Sequence, residues 1–334
     1  MKLAGFGDGV EVLDATDARI VAALHVDGRA PWRRIAQVLQ LPERTVTRRG
    51  NQLLEKRLVS VHGLTDPHRI QRREPFIVQT HCAPGTAWGV ALALSKWQET
   101  VVTHLTSGSA DCFADMWSPT NQVTNLLGHE LGTIPGLTSF SVSPILRYLK
   151  TVHEWQPGAL QPEEIDELRA IPALDEWPKF SNPVTLDKQG EYILEALADD
   201  GRRPFDDVAR RSGVSEQTVG RRVDQMRQNG LLVIRALADP AILGFPVGAL
   251  IRIAATPKRF DSVVRSIRVN PYVRYAAVVM GDYQVVAEIR VRSKSDLYDQ
   301  IYNSEWFDNA SRTDTSLIVS TLKQSGVLSE QLVS

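Results

Sequence analysis

The sequence of 334 residues is poor in cysteine, with only Cys82 and Cys112. Two thiols are too few for a disulfide framework and fit a reducing compartment. No run of about 18 apolar residues occurs, so no membrane-spanning helix is expected. The first stretch, MKLAGFGDGVEVLDATD, lacks the apolar segment of a secretory signal, and a cytoplasmic location is the expectation. Formal net charge is −1, so any nucleic-acid footprint must be local rather than global. A glycine-rich phosphate loop, a nucleophile elbow and informatively spaced carboxylate pairs are all missing, so no catalytic residue and no cofactor is assigned. What is present is an ordinary globular composition, 43% hydrophobic and 23% charged, over a length greater than one core usually needs.

The organisation comes from an internal repeat. Residues 13–67 align without a gap to residues 186–240 at an offset of 173, and 20 of the 55 positions are identical. Shared strings include Asp27-Gly28-Arg29 with Asp200-Gly201-Arg202, Arg48-Arg49 with Arg221-Arg222, and Asp66-Pro67 with Asp239-Pro240. The same offset then pairs Pro84 with Pro257, Gly108 with Gly281, and Leu149-Lys150 with Leu322-Lys323. Two copies of one unit therefore run over roughly 13–151 and 186–324. Between them, 152–185 reads as a proline-bearing, acidic linker with a short helix starting at Pro162.

Each unit begins with three short helices. In the second copy, Ile193, Leu194 and Leu197 mark the first apolar stripe, which stops at the Asp200-Gly201 turn signal. Pro204 opens a second helix, Gly213 makes a tight turn, Ser215 caps a third helix, and Gly230 ends it. This is a helix-turn-helix. On the third helix Val219, Val223 and Met226 fall inward, while Gln217, Arg221 and Asp224 face out; the outward set of the first copy is Arg44, Arg48 and Asn51. Arginine suits guanine edges, and asparagine or glutamine suits adenine. Arg49 and Arg222 lie on the flank and suit phosphates, with Thr45, Thr47 and Thr218 beside them. A solvated arginine face is the bland explanation for any one such residue, but the doubled three-helix pattern favours a DNA interface.

The rest of each unit reads strand-helix-strand-strand-helix-strand, the ferredoxin-like βαββαβ order. In copy two the segments are 247–254, 257–270, 273–280, 283–290, 293–305 and 313–322. In copy one the strands fall near 76–82, 101–107, 111–117 and 138–146. The fold class is thus α+β, with predicted domains at 13–67, 74–151, 186–240 and 245–324 and a linker at 152–185.

A helix-turn-helix, a strand-like hinge and a βαββαβ domain together resemble the Lrp/AsnC (feast/famine) regulators. The strings that carry the resemblance are SEQTVGRRVDQMRQNGLL at 215–232, ADPAILGFPVGALIRI at 238–253 and GDYQ at 281–284. The second copy matches nearly throughout, and the first mainly in its helix-turn-helix. The resemblance implies binding to double-stranded promoter DNA, pairing of the sensor sheets, further homo-oligomerisation, and a small-molecule effector, an amino acid or related metabolite. It places that effector near the turn between the second and third sensor strands, at Gly281, Asp282 and Tyr283. A plain hairpin turn also favours Gly and Asp.

The copies differ in informative ways. Copy one has Pro42 for the capping Ser215, Gly50 for inward Val223, and Arg57 for Gly230. A mid-helix glycine predicts a weaker third helix. Residues 13–67 carry nine Lys/Arg against six Asp/Glu, whereas 186–240 carry nine against ten. Asp206, Asp207 and Asp224 are therefore expected to repel phosphate, leaving the first head electrostatically stronger. Copy one has Gly108-Ser109-Ala110-Asp111 where copy two has GDYQ, so its ligand turn is expected to be altered. His81, Cys82, His104 and Cys112 fall on strands of one sheet, but no metal-ligand spacing joins them and no metal site is assigned.

An enzymatic alternative shares this architecture. Siroheme decarboxylases occur as fused pairs of such units and carry a Tyr-x-Arg-Glu-His-type motif. That motif is absent from 103–117 and 275–289. A third reading is an effector-binding adaptor with inactive DNA heads. The linker could span up to about 110 Å if extended, so pairing within one chain and pairing across chains both stay open.

Overall fold

The computed structural model describes residues 12–156, 158–169 and 183–329. Copy one runs α1 (Ala15–Val26), α2 (Trp32–Leu39), α3 (Glu43–Glu55), β1 (Val59–Thr65), β2 (Arg73–Cys82), α4 (Ala87–Lys96), β3 (Thr100–Ser107), β4 (Cys112–Pro119) and β5 (Leu137–Lys150). The linker contributes α5 (Pro162–Leu168); its residues 170–182 lie outside the described residues. Copy two runs α6 (Lys188–Asp199), α7 (Phe205–Ser212), α8 (Glu216–Gln228), β6 (Leu232–Ala238), β7 (Val247–Ala254), α9 (Pro257–Val269), β8 (Val273–Val279), β9 (Val285–Val291), α10 (Lys294–Tyr302), α11 (Glu305–Asn309) and β10 (Arg312–Gln324). The single helix expected over 293–305 ends at Tyr302, and a separate short helix follows.

The chain divides into two compact units that do not follow the copy boundary. One holds the helix-turn-helix segments of both copies, and the other holds both βαββαβ segments.

In the head unit, β1 and β6 form an antiparallel two-stranded sheet, with His62 opposite Arg235 near its middle. Ile20, Leu24, Ile35, Leu39 and Val46 of the first head share one core with Ile193, Leu197, Val208, Val219 and Val223 of the second. The repeated Asp-Gly-Arg string sits at the joint. The Gly28 amide donates to Ile234 O at 3.0 Å, and the Gly201 amide donates to Val61 O at 2.7 Å. A Cβ at Gly28 would lie 2.7 Å from Val61 Cγ1 and 2.8 Å from Arg235 Cα, so the close approach requires glycine. Arg29 donates to the carbonyls of Gly201 (2.8 Å) and Arg203 (3.0 Å), and its guanidinium lies 4.0 Å from the Phe205 ring centroid. Arg202 returns the contact, donating to Gly28 O (2.7 Å) and lying 4.4 Å from the Trp32 ring centroid. A string that reads as a turn signal is thus also a reciprocal latch between heads. The linker helix α5 packs on the first head: Leu168 is fully buried, Arg19 pairs with Glu164, and Arg34 donates to Glu167 O at 2.6 Å.

In the sensor unit each copy folds its own four strands, antiparallel throughout, in the order β5-β2-β4-β3 and β10-β7-β9-β8. The fourth strand of each copy runs on to pair with the second strand of the other. Ile145–Lys150 of β5 meets β8, and Leu317–Lys323 of β10 meets β3. The eight strands therefore close into a ring, which leaves none of them with a fully open edge. Ile77, Phe113, Ile145, Leu250, Tyr275, Val286 and Ile318 from both copies fill its interior. Helices α4, α9 and α10 cover the outer faces through Val90, Leu94, Val263, Ile267, Leu297 and Ile301.

Gly50 has a packing reason. A Cβ there would lie 2.4 Å from Trp32 Cη2. Copy two has the smaller Phe205 and the larger Val223 at the same two positions. The pair exchanged volume, so the glycine is matched to the indole rather than simply weakening α3. The C-terminal signal did degrade, because Arg57 adopts φ 54° where Gly230 adopts φ 66°. Gly50→Val should destabilise the protein by about 1–3 kcal/mol through overpacking, against the roughly 0.5–1 kcal/mol gain expected from replacing a mid-helix glycine by alanine. The double variant Trp32→Phe/Gly50→Val should recover most of that loss. Thermal unfolding of the three proteins checks this, and a higher midpoint for Gly50→Val alone would sink the volume-exchange account.

Candidate nucleic-acid interface and sensor turns

The third helix of each head buries one face and opens the other. Val46, Gly50 and Leu53 of α3 are buried, as are Val219, Val223 and Met226 of α8. Arg44, Arg48 and Asn51 are exposed, and so are their counterparts Gln217, Arg221 and Asp224. Arg48 donates to its neighbour Gln52 at 3.2 Å. An open groove of about 1230 Å³ runs along α8, lined by Phe205, Gln217, Arg221, Asp224, Gln225 and Gln228 among others.

The flanking arginines are engaged within the chain. Arg49 donates to Asp14 (2.6 Å) and Asp17 (3.0 Å), and Arg222 donates to both oxygens of Asp187 (2.6 and 2.9 Å). Asp14 and Asp187 also cap α1 and α6, accepting from Asp17 N and Gly190 N. These pairs tie the third helix to the start of the first in each head. A phosphate role for Arg49 or Arg222 would therefore compete with an existing ion pair. Thr218 likewise serves the cap of α8, bonding Ser215 through its amide and hydroxyl. Thr45 and Thr47 are half-buried on α3.

The acidic side chains of the second head are not equivalent. Asp206 pairs with Arg210 at 3.1 Å, and Asp207 pairs with Arg210 at 3.1 Å and Arg203 at 3.5 Å. The repulsion expected from these two is largely offset. Asp224 has no ion-pair partner among the described residues.

In the sensor unit, the turn at Gly281, Asp282 and Tyr283 sits at one end of the ring. The Tyr283 ring lies 4.8 Å from the Arg252 guanidinium and 4.5 Å from that of Arg312. Asp282 is exposed and lies 3.8 Å from Arg312. The corresponding turn of copy one is filled by the chain itself. Arg252 donates to Ser109 Oγ and to Gln79 Oε1, both at 2.7 Å, and pairs with Asp314 at 3.0 Å. Ser109 donates to Asp314 at 2.6 Å. Neither Arg252 nor Arg312 stands out in the sequence, because each reads as an ordinary polar position of an alternating strand.

Inside the ring, equivalent positions of the two third strands carry Asp115 and Glu288. Glu288 is bound by Arg290 (2.6 Å) and Arg274 (3.2 Å), with His104 at 3.8 Å. Burial alone would raise its pKa, but the two guanidiniums hold it well below the usual carboxylate range. Burial pushes the His104 imidazole down, and its Nδ1 bonds the Thr321 hydroxyl at 3.0 Å. Asp115 has Trp117 where Glu288 has Arg290, and it has no cation partner among the described residues. Burial raises its pKa to about 7, and the Tyr275 phenol only partly opposes the shift. Cys112 donates to Ala87 O. Among the described residues no three His, Cys, Asp or Glu side chains gather into a metal-binding group, and no helix is long and apolar enough to cross a membrane.

Comparison with known proteins matches residues 13–54 and 186–227 to the AsnC-type helix-turn-helix domain, and residues 248–328 to the Lrp/AsnC ligand binding domain. An uncharacterised HTH-type transcriptional regulator of Pyrococcus abyssi is 30% identical over 145 residues, which is 43% of this chain and 92% of the relative. The HTH-type transcriptional regulator LrpA of Pyrococcus horikoshii is 28% identical over 142 residues, 41% of this chain and 99% of the relative. Among solved structures, the siroheme decarboxylase NirDL superposes with a TM-score of 0.61, covering 92% of each chain at 12% identity. That likeness concerns the fold of the whole duplicated chain.

Asp115 gives the ring a pH dependence. Its pKa of about 7 in the folded protein lies above its ordinary 3.8, so the folded state keeps a proton that the unfolded state releases. Stability should fall as pH rises from about 4 to about 7 and level off above, a change on the order of 4 kcal/mol. Asp115→Asn should remove this component. Chemical unfolding of both proteins across that range checks it, and parallel stability profiles would count against it.

Proposed function

Since the chain belongs to the Lrp/AsnC family of helix-turn-helix regulators, we propose that it binds double-stranded DNA sequence-specifically and regulates transcription as an in-chain pseudo-dimer under control of a small-molecule effector. The observation that carries this is the pair of outward third-helix faces, held by one compact unit and tied together through Arg29 and Arg202. Arg44, Arg48 and Asn51 read bases for the first head, with Thr45 and Thr47 at its edge. Gln217 and Arg221 do so for the second, with Thr218 at its edge. Arg49 and Arg222 orient each reading helix through their aspartates and reach phosphate only by exchanging those partners.

The crossed pairing of β5 with β8 and of β10 with β3 supports the pseudo-dimer. The functional domains follow as 13–67 and 186–240 for DNA, and 74–151 and 245–324 for effector binding and pairing, joined by 152–185. Further homo-oligomerisation is part of the proposal. The effector, an amino acid or related metabolite, sits at Gly281, Asp282 and Tyr283, where Arg312 supplies a cation and Asp282 an anion. The copy-one turn, filled by Arg252, takes none.

A second reading has one observation in its favour, the whole-chain likeness to a siroheme decarboxylase. At 12% identity that likeness is one of fold, and the Tyr-x-Arg-Glu-His-type motif is absent. The regulator reading fits better.

Arg48→Ala and Arg221→Ala should each weaken binding to a selected duplex by about 1–3 kcal/mol, the worth of one base-reading pair. The affinity of the unsubstituted protein should fall steeply with salt as counterions are released. Fluorescence anisotropy at several salt concentrations measures both. A flat salt response would favour an adaptor with inactive heads, and a new Soret band with added siroheme would favour the enzyme.

A further inference from the structure

We propose that Asp224 is a specificity-determining residue of the second head, accepting from the N4 amino group of a cytosine in the major groove, so that the two heads read unlike half-sites. The inference rests on the DNA-binding reading above and assigns one position within it.

Gln217, Arg221 and Asp224 are spaced i, i+4 and i+7, which puts them on one stripe of α8. All three are exposed. The groove they line is open, and Gly220 with the edge of Phe205 leaves room beside them. Every other acidic side chain near this surface is accounted for. Asp206 and Asp207 are paired with arginines, Asp187 is paired with Arg222, and Glu216 lies in the first turn of α8, where a carboxylate favours the helix dipole. Among the described residues Asp224 has neither an ion pair nor a helix N-terminus to balance it, although Arg221 lies one turn away.

A carboxylate in that stripe is incompatible with phosphate and can only accept hydrogen bonds. In the major groove the amino donors are cytosine N4 and adenine N6. Adenine also presents its N7 acceptor beside N6, which repels a carboxylate, so cytosine is the fitting base. The equivalent residue of the first head is Asn51, which suits adenine. The middle positions, Arg48 and Arg221, are the same and suit guanine. The stripes therefore share a centre and differ at both sides, Arg44 against Gln217 and Asn51 against Asp224.

The test is selection from a random duplex DNA library with the full-length protein, Asp224→Ala and Asp224→Asn, followed by affinities for the selected duplex and its single-base variants. The unsubstituted protein should select a cytosine next to the guanine in one half-site only. Replacing that cytosine should weaken binding on the order of tenfold. Asp224→Ala should lose the preference there while keeping the others, and Asp224→Asn should shift it toward adenine. A uniform gain in affinity for all sequences with Asp224→Ala would mean simple repulsion and overturn the inference. An unchanged preference in both variants would overturn it too. No enrichment of any duplex by the unsubstituted protein would refute the DNA-binding reading and the inference with it. Helical content measured for each variant identifies any loss due to misfolding, and Asp224→Asn, nearly isosteric at an exposed position, keeps the comparison decisive.

Discussion

Two half-buried guanidiniums decide how the heads of this chain relate to one another. Arg29 and Arg202 each cross to the other copy, bond its backbone carbonyls and cover an aromatic ring. Burial pulls both groups below their ordinary pKa, and for Arg29 the neighbouring Arg202 adds to the effect. The carbonyl acceptors and the ring face offset that cost. The glycines beside them allow the backbones to approach closely enough. The β1–β6 sheet and the shared apolar core then follow, and the two reading helices belong to one body. For a DNA-binding protein this matters more than the net charge of either head, because spacing and orientation of the heads set which sites can be read.

The sensor ring uses the other consequence of duplication. Strand pairing at β5–β8 and β10–β3 joins the two copies within the ring. Once joined in one chain, equivalent positions no longer had to serve two identical surroundings. Glu288 has two arginines and stays ionised, while Asp115 lies buried beside the Tyr275 phenol and holds its proton to near neutral pH. The same divergence appears at the two turns. One exposes Asp282 and holds the Tyr283 ring against Arg252 and Arg312, and the other is stitched to Asp314 through Ser109 and Arg252.

Much of this was legible because the repeat multiplies weak local signals. The helix-turn-helix boundaries follow from Pro204, Gly213, Ser215 and Gly230, each with its own backbone reason, and the strand order follows from alternation. The outward stripe of α8 follows from phase alone. What stayed hidden depends on partners distant in sequence. Asp-Gly-Arg reads as a turn, since nothing local says that the next arginine crosses 172 positions to Gly201. Gly50 reads as a defect until Trp32 is seen against it. Arg49 and Arg222 read as phosphate ligands until Asp14 and Asp187 are seen to hold them. Arg252 reads as one more polar strand residue.

The charge difference between the heads illustrates the same limit and narrows what the asymmetry means. Counted along the sequence, the second head is less basic by four charges, which suggests a weaker partner for phosphate. In the folded protein Asp206, Asp207 and Asp187 spend their charge on arginines of the same head, and such exposed pairs contribute little beyond local order. On the DNA-binding reading we propose, what distinguishes the second head at the DNA surface reduces to the stripe of Gln217, Arg221 and Asp224. A carboxylate there penalises every base pair that offers it no amino donor. Placed on a head that is already tethered to a more basic partner, that penalty costs overall affinity little and acts almost wholly as discrimination between sites.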